Sequence, residues 1–324
     1  MDLKGSRILV TGGAGLVGSF IIDRLIGEHP KEIIAFDGDI SHYLKNVSPG
    51  LDYSIVNLCK GDIRQVGELK GALQGVDFVI HTASLLTREA AENLRAALEV
   101  NIFGTFNVLD ASVTSGVKKM IYISSSSAYG EPLSIPMTED HPFNVTSMYG
   151  ACKGASELLL RVFEKKGLDY VTLRPTSIYG PRQHYRTNIV LYIPECFDRI
   201  EKGQRPIIYG DGSQPFDYVY VDDVARASIV ALKSPVTGEA FNIGTGATTR
   251  VGDVVRMIVE ITGTSLQPEY APLGDRFLGI KSNYLDITKT EKVLGFKTEV
   301  SLKEGLKRYF EWRKKKGQYQ EFGH

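Results

Sequence analysis

Cysteine is scarce in this chain: Cys59, Cys152 and Cys196 are the only three among 324 residues, and no two lie at metal-ligand spacing. That argues against a disulfide framework and for a reducing compartment. Net charge is absent too, since 38 Lys plus Arg balance 38 Asp plus Glu. Neither a nucleic acid nor an acidic membrane surface is therefore expected as a partner, although a neutral chain can still bind a small anion locally. No apolar run approaches the roughly 20 residues that span a bilayer. Met1 to Arg7 lead straight into an apolar strand without the hydrophobic region of a secretion signal, so the expected location is cytoplasmic. Flexible linkers, repeats and low-complexity tracts are missing as well, and the length suits one large domain or two interleaved ones with a full core.

What the chain does contain is alternation. Arg7 to Thr11 is a short β-rich run that ends in Gly12-Gly13-Ala14-Gly15-Leu16-Val17-Gly18, and the amphipathic segment Ser19 to Gly27 follows. A second apolar run, Glu32 to Phe36, ends in Asp37; further buried strands are expected at Phe78 to His81, Met120 to Ser124 and Tyr170 to Arg174. Helical stretches occupy Glu89 to Val113 and Tyr149 to Lys165. Short apolar strands alternating with helices predict an α/β fold, a doubly wound parallel sheet with helices on both faces. The alternation weakens after Tyr179, where Pro, Gly and aromatic residues become denser, so a smaller α/β domain is expected from there. Val219 to Leu232 and Ala240 to Gly244 look like core elements that return to the first domain.

Three groups of residues carry chemistry. Gly12, Gly15 and Gly18 let the backbone turn tightly and bring a pyrophosphate to the positive end of the next helix. Asp37, about twenty residues on at a strand end, is placed to accept hydrogen bonds from ribose hydroxyls. No Arg or Lys lies between Asp37 and Lys45, which favours NAD over NADP. Tyr149 and Lys153 project from one helix face at i and i+4. A free tyrosine ionises near pH 10, but a neighbouring ammonium and a cationic nicotinamide both favour the phenolate and would make it a usable base. The serine run Ser124 to Ser127 lies between these groups in the chain, and the combination reads as a dinucleotide-dependent redox enzyme. Asp62, after another strand, either contacts the adenine or caps a helix.

In order along the chain, Thr11 to Gly18, Asp37, Gly61-Asp62-Ile63, Asn101, the serines before Tyr129-Gly130, Tyr149 with Lys153, and Gly210-Asp211-Gly212 resemble the extended short-chain dehydrogenase/reductase family. Within it, the chain looks most like the nucleotide-sugar 4-epimerases of the UDP-glucose 4-epimerase kind, over nearly its whole length. The resemblance implies an NAD-binding Rossmann domain at 1–178, with returns near 215–245, and a substrate-binding domain mainly at 179–324. It implies NAD contacts from Gly12, Gly15, Leu16, Val17, Gly18, Asp37, Asp62, Ile63, Ala83, Asn101, Ser124, Tyr149, Lys153 and Ile178. Catalysis would rest on Tyr149, Lys153 and Ser125, and the substrate, a nucleoside-diphosphate sugar, on Ser125, Ser126, Tyr149, Ser177, Asn188 and Arg276. No metal is implied, and a homodimer is.

The chain departs from the family pattern at informative places. Phe216 stands where many members carry a phosphate-binding arginine, and Ser177 where many carry an asparagine. Arg276 has the spacing of the family's other phosphate arginine, and Arg182, Arg186 and Asn188 are further candidates for the substrate. The segment Ala83 to Arg95 is unusual and offers Thr87 or Arg88 to the sugar, unless a helix simply starts there. His184 occupies a position where uronate epimerases tend to have arginine, which favours a neutral hexose or N-acetylhexosamine. Ser126 and Ser127 replace the acidic pair expected of a 4,6-dehydratase. The competing classes are a decarboxylase of nucleotide sugars, a dehydrogenase of a non-nucleotide alcohol, and a non-catalytic dinucleotide sensor.

Overall fold

Runs rich in Ile, Val and Leu form the central layer of the structure, a computed structural model that describes residues 1–42, 48, 50–183, 192–274 and 283–320. In chain order the first half comprises β1 (Arg7–Thr11), α1 (Leu16–Ile26), β2 (Glu32–Asp37), β3 (Val56–Lys60), α2 (Val66–Ala72), β4 (Phe78–His81), α3 (Thr87–Glu92), α4 (Leu94–Ala97), α5 (Thr105–Thr114), β5 (Lys119–Ile123), α6 (Met148–Glu164) and β6 (Asp169–Pro175). The second half comprises β7 (Ser177–Tyr179), α7 (Tyr192–Glu201), β8 (Ile207–Tyr209), β9 (Pro215–Phe216), β10 (Tyr218–Tyr220), α8 (Val221–Lys233), β11 (Glu239–Ile243), β12 (Thr249–Arg250), α9 (Val251–Thr262), β13 (Glu269–Ala271) and α10 (Leu302–Gln320).

Seven strands pair in the order β11-β6-β5-β4-β1-β2-β3, every pair parallel. This is the doubly wound sheet that the alternation predicts, and its strand order reverses between β1 and β4. Ligands of such sheets bind at the carboxyl ends of the strands beside that reversal. One face of the sheet packs against α1 and α8, through residues such as Ile21, Leu25, Val224 and Leu232. The other face packs against α2, α5 and α6, through Leu69, Val108, Leu160 and Phe163. A third cluster, rich in Tyr and Phe, joins α7, α9 and α10 to the small strands of the second half. Only Thr176 separates β6 from β7, and β7 pairs with β10, so the chain crosses from one half to the other at the site.

Lys119 is fully buried on β5, yet its ammonium has partners: Nζ donates to the carbonyls of Ala231 and Ser234, both at 2.8 Å. It thereby caps the last turn of α8, whose end carbonyls have no partner within the helix. Burial lowers its pKa to about 8.

The single helix expected over Glu89 to Val113 is broken. Asn93 ends α3 with φ −139°, and its side chain accepts from the Ala96 amide at 3.0 Å to start α4. Asparagine competes for backbone donors in this way, which is why it starts helices better than it continues them. Leu98–Gly104 is then wound as a π-helix before α5. There the carbonyl of Asn101 accepts from Thr105 Oγ1 at 2.8 Å and Ser156 Oγ at 3.0 Å.

Candidate active site

The carboxyl ends of the strands surround a cavity of about 980 Å³. On the side of β1 to β3 its wall includes Gly12, Gly15, Leu16, Val17, Asp37, Asp62 and Ile63. Ala83, Ser124, Ser125, Ser126, Tyr149 and Lys153 line its middle, and Ser177 and Ile178 line it beyond β6.

The glycine turn is shaped for close approach. Gly12 has φ +68°, and a Cβ there would sit 2.5 Å from Thr82 Oγ1. A Cβ on Gly18 would meet the Gly12 carbonyl oxygen at 2.2 Å, so Gly18 works from behind the turn, letting α1 close onto it, and does not line the cavity. Asp37 leaves β2 facing the same space, and its carboxylate accepts from the amides of Ala14 and Asp39, both at 3.0 Å. Burial raises its pKa above the ordinary carboxylate value. A bare backbone turn at a helix start, with a carboxylate at the next strand end, fits the pyrophosphate and ribose of a dinucleotide. Asp62 also lines the cavity, but it pairs with Arg64 at 2.6 Å and its pKa falls through that contact. It does not cap α2, which starts after Gln65.

Tyr149 and Lys153 occupy the first turns of α6, started by Ser147, whose Oγ accepts from the Gly150 amide at 3.1 Å. The Tyr149 side chain is nearly buried and lines the cavity together with Ser125 and Ser84. Lys153 Nζ lies 5.6 Å from the Tyr149 ring centre and donates to the Ile123 carbonyl at 2.8 Å. Burial lowers the Lys153 pKa to about 8, against the pull of Glu157. Burial likewise raises Tyr149 to about 12. The tyrosine depression expected from the sequence is thus outweighed, within the protein itself, by desolvation. Ser125 Oγ accepts from the Ser127 amide at 3.1 Å, which fixes the hydroxyl at the start of a short turn.

Behind this row runs a buried polar network. Ser124 Oγ donates to Glu157 Oε1 at 2.5 Å, and Glu157 is ion-paired with Arg174 at 2.6 Å. Arg174 also donates to the Tyr129 hydroxyl at 2.8 Å, which donates in turn to Asn242 Oδ1 at 2.6 Å. Asn101 stands behind the wall as well: its amide accepts from the Leu85 N–H at 2.7 Å and donates to the Leu85 carbonyl at 2.9 Å. It shapes the loop after β4 and is not a cavity residue.

Beyond β6, Ser177 Oγ accepts from Asn283 Nδ2 at 2.7 Å, and Asn283 Oδ1 accepts from the Asp217 amide at 2.8 Å. Phe216, in the place of the expected arginine, is buried edge-on to Tyr218 and lines the cavity. Arg182 points away from the cavity, donating to Asp23 and Ser48, both at 2.6 Å. Arg88 pairs with Glu92 on the exposed side of α3, whereas Thr87 lines the cavity at the helix start. Asn188 and Arg276, like His184 and Arg186, lie outside the described residues.

Sequence reasoning missed Ser84, Thr176 and Gln183, all of which line the cavity. Thr176 Oγ1 and both amide atoms of Gln183 are buried without a hydrogen-bond partner. Buried polar atoms are normally paired, so these three are places where a ligand would make the bond. Nothing in their spacing marks them; loop geometry alone puts them there. Among the described residues, no cluster of three His, Cys, Asp or Glu could hold a metal ion, and no helix is long and apolar enough to cross a membrane.

Comparison with known proteins agrees with this geometry. The model of the NAD dependent epimerase/dehydratase family matches residues 8–244. The UDP-glucose 4-epimerase of Mycolicibacterium smegmatis is 32% identical over 321 residues, covering 96% of this chain and 100% of its own. The crystal structure of a UDP-glucose 4-epimerase from Thermotoga maritima with UDP-glucose superposes with TM-score 0.86 at 34% identity, over 96% of this chain and 99% of that one. A dTDP-glucose 4,6-dehydratase from Streptomyces venezuelae with NAD bound superposes with TM-score 0.85 at 27% identity, over 97% and 98%. The chain belongs to the NAD dependent epimerase/dehydratase family, and NAD is its cofactor.

Proposed function

We propose that this enzyme epimerises a nucleoside-diphosphate sugar at C4, through a transient 4-keto sugar, with a UDP-hexose or UDP-N-acetylhexosamine as substrate. The observation that carries the reading is the convergence of Ser125, Tyr149 and Lys153 on one cavity with the glycine turn and Asp37. NAD bound along that turn supplies reversible hydride acceptance, so the cycle closes without net redox. Tyr149 takes the proton of the sugar 4-hydroxyl, Ser125 orients that hydroxyl, and Lys153 favours the phenolate electrostatically. Ser177, Gln183 and Thr176 offer neutral hydrogen bonds on the substrate side, which suits an uncharged sugar. The likeness to a 4,6-dehydratase supports a second reading, in which the keto sugar is dehydrated. Ser126 and Ser127, which follow Ser125 without a carboxylate, weigh against it.

Residues 1–178 would hold the cofactor and most of 179–324 the sugar nucleotide. We further infer a homodimer: Leu94, Leu98, Phe103, Phe106, Leu158 and Val162 leave an exposed apolar face along α4 to α6, of the kind that marks an interface.

The test is a panel of UDP- and GDP-hexoses, N-acetylhexosamines and uronates, with product stereochemistry followed by proton NMR and NADH by absorbance. An epimer without stoichiometric NADH supports the proposal, and a dehydrated keto sugar or accumulating NADH refutes it. Tyr149→Phe should lower turnover by about 10²–10⁴-fold with NAD still bound.

A further inference from the structure

His81 closes β4 with its side chain completely buried, and both of its ring nitrogens have partners. Nδ1 lies 2.6 Å from Thr11 Oγ1, at the end of the neighbouring strand β1, and Nε2 lies 3.0 Å from Thr105 Oγ1, at the start of α5. Thr105 Oγ1 is also 2.8 Å from the Asn101 carbonyl, which can only accept, so the single hydroxyl proton is used there. Thr105 therefore faces His81 with a lone pair, and Nε2 must carry the ring's proton. Nδ1 is then the acceptor for the Thr11 hydroxyl. Burial, aided by the charge of Lys153, lowers the His81 pKa to about 3, which keeps the ring neutral. Each hydrogen bond in the row from Thr11 to Asn101 thus has one direction.

The two ends of this row hold the two ends of a wall. Ala83, Ser84, Leu85 and Leu86 line the cavity in succession, while His81 stands behind them and does not. At the near end the Ala83 amide donates to Thr11 Oγ1 at 3.4 Å, and Thr82 Oγ1 donates to the Thr11 carbonyl at 2.7 Å. At the far end the Asn101 side chain takes both the N–H and the carbonyl of Leu85, at 2.7 and 2.9 Å. Thr11 leads directly into Gly12, which presses on the same wall: a Cβ on Gly12 would sit 2.8 Å from the Ala83 nitrogen.

We propose that His81, as its neutral Nε2–H tautomer, is a positioning residue for the cofactor, a brace that fixes the glycine turn against the Ala83 to Leu86 wall. It acts through Thr11 and Asn101 and transfers no proton. The inference rests on NAD as the cofactor and is independent of which sugar is turned over.

The experiment measures NAD affinity by fluorescence titration in wild type, His81→Phe, Thr105→Val and Thr105→Ser, with nitrogen-15 NMR of histidine-labelled protein in parallel. One of the six histidines should show a bare Nδ1 and a protonated Nε2, and that signal should vanish in His81→Phe. Phenylalanine keeps a ring beside Tyr122, whose centre lies 5.7 Å away, but makes neither bond. NAD affinity is expected to fall about tenfold in both His81→Phe and Thr105→Val, as the loss of a net hydrogen bond implies. Thr105→Ser keeps the hydroxyl and should retain the wild-type affinity. Leu73→Ala, in the core beyond the end of α2 and outside the cavity, should lower the unfolding midpoint and leave NAD affinity unchanged. A proton on Nδ1 in wild type would overturn the proposal, as would NAD affinities within about twofold of wild type in both His81→Phe and Thr105→Val. An equal fall in Leu73→Ala would overturn it too, because the effect would then be a general loss of stability.

Discussion

Replacing Glu157 with glutamine keeps the shape of the side chain and removes its charge from beside Arg174. The two side chains are 7% and 3% exposed. Arg174 Nε reaches both carboxylate oxygens at 3.1 Å, and Nη2 reaches Oε2 at 2.6 Å. Breaking one side of a buried pair costs about 3–5 kcal/mol, because the other charge is left uncompensated. Here the guanidinium keeps the Tyr129 hydroxyl at 2.8 Å and the Glu139 carbonyl at 2.9 Å. It also keeps the ring faces of Tyr129 and Phe143, at 4.8 and 5.3 Å. Those contacts place the expected cost at the low end, about 3 kcal/mol. At about 2–4 °C per kcal/mol, the unfolding midpoint should fall by about 6–12 °C. Removing the other charge as well, with Arg174→Met, should recover part of that loss, because no uncompensated ion is then left in the interior. Thermal and urea unfolding of wild type, both single variants and the double variant close the cycle. The reasoning fails if Glu157→Gln lies within about 1 kcal/mol of wild type, or if the double variant is as unstable as the two single losses added together.

Gly18→Ala puts a methyl 2.2 Å from the Gly12 carbonyl oxygen, so the turn must open; NAD affinity should fall at least tenfold by fluorescence titration. Gly67→Ala, in α2 with nothing within 4 Å of the added carbon, serves as the neutral control. Asp37→Ala removes the carboxylate placed for the ribose hydroxyls, and about 10–100-fold weaker NAD binding with a smaller preference over NADP is expected; equal loss for both cofactors would refute the ribose role. For Lys119 the folded pKa is lowered to about 8 from the ordinary 10.5, so the unfolded chain holds more protons between those values. Stability contributed by this residue therefore rises with pH across that window. Measured by urea midpoint, wild type should gain on Lys119→Met from pH 8 to 10, and a constant or shrinking difference would contradict the assignment.

The sheet was legible because each strand is an apolar run between punctuating residues. Arg7–Thr11 and Phe78–His81 have the expected bounds, and β5 is displaced by one residue from Met120 to Ser124. The interruption at Asn93 was not legible, since the apolar pattern continues through it and only the side-chain bond to Ala96 reveals the break. In the site, Tyr149 and Lys153 announce themselves by spacing on one helix face. Ser84, Thr176 and Gln183 have no such periodicity; each is placed by a loop whose path depends on distant partners, as Ser84 depends on Asn101. The direction of the Tyr149 shift was hidden for a related reason. Sequence shows which charges are neighbours but not how completely water is excluded, and here exclusion dominates.

β11 has a consequence for any attempt to divide the molecule. It adds to the sheet beside β6, with Glu239 to Ile243 opposite Val171 to Pro175, after the chain has already visited α7 and the small strands. Directly before it, α8 covers α1, joined there by Arg24 and Asp222. A fragment stopped at Ile178 would carry every glycine of the cofactor turn and still end on an open β6 edge, with the apolar side of α1 bare. Such an edge invites pairing with other copies. During synthesis, too, the β6 edge stays uncovered until β11, about three quarters of the way along the chain, has been made, so the sheet closes on that side only late.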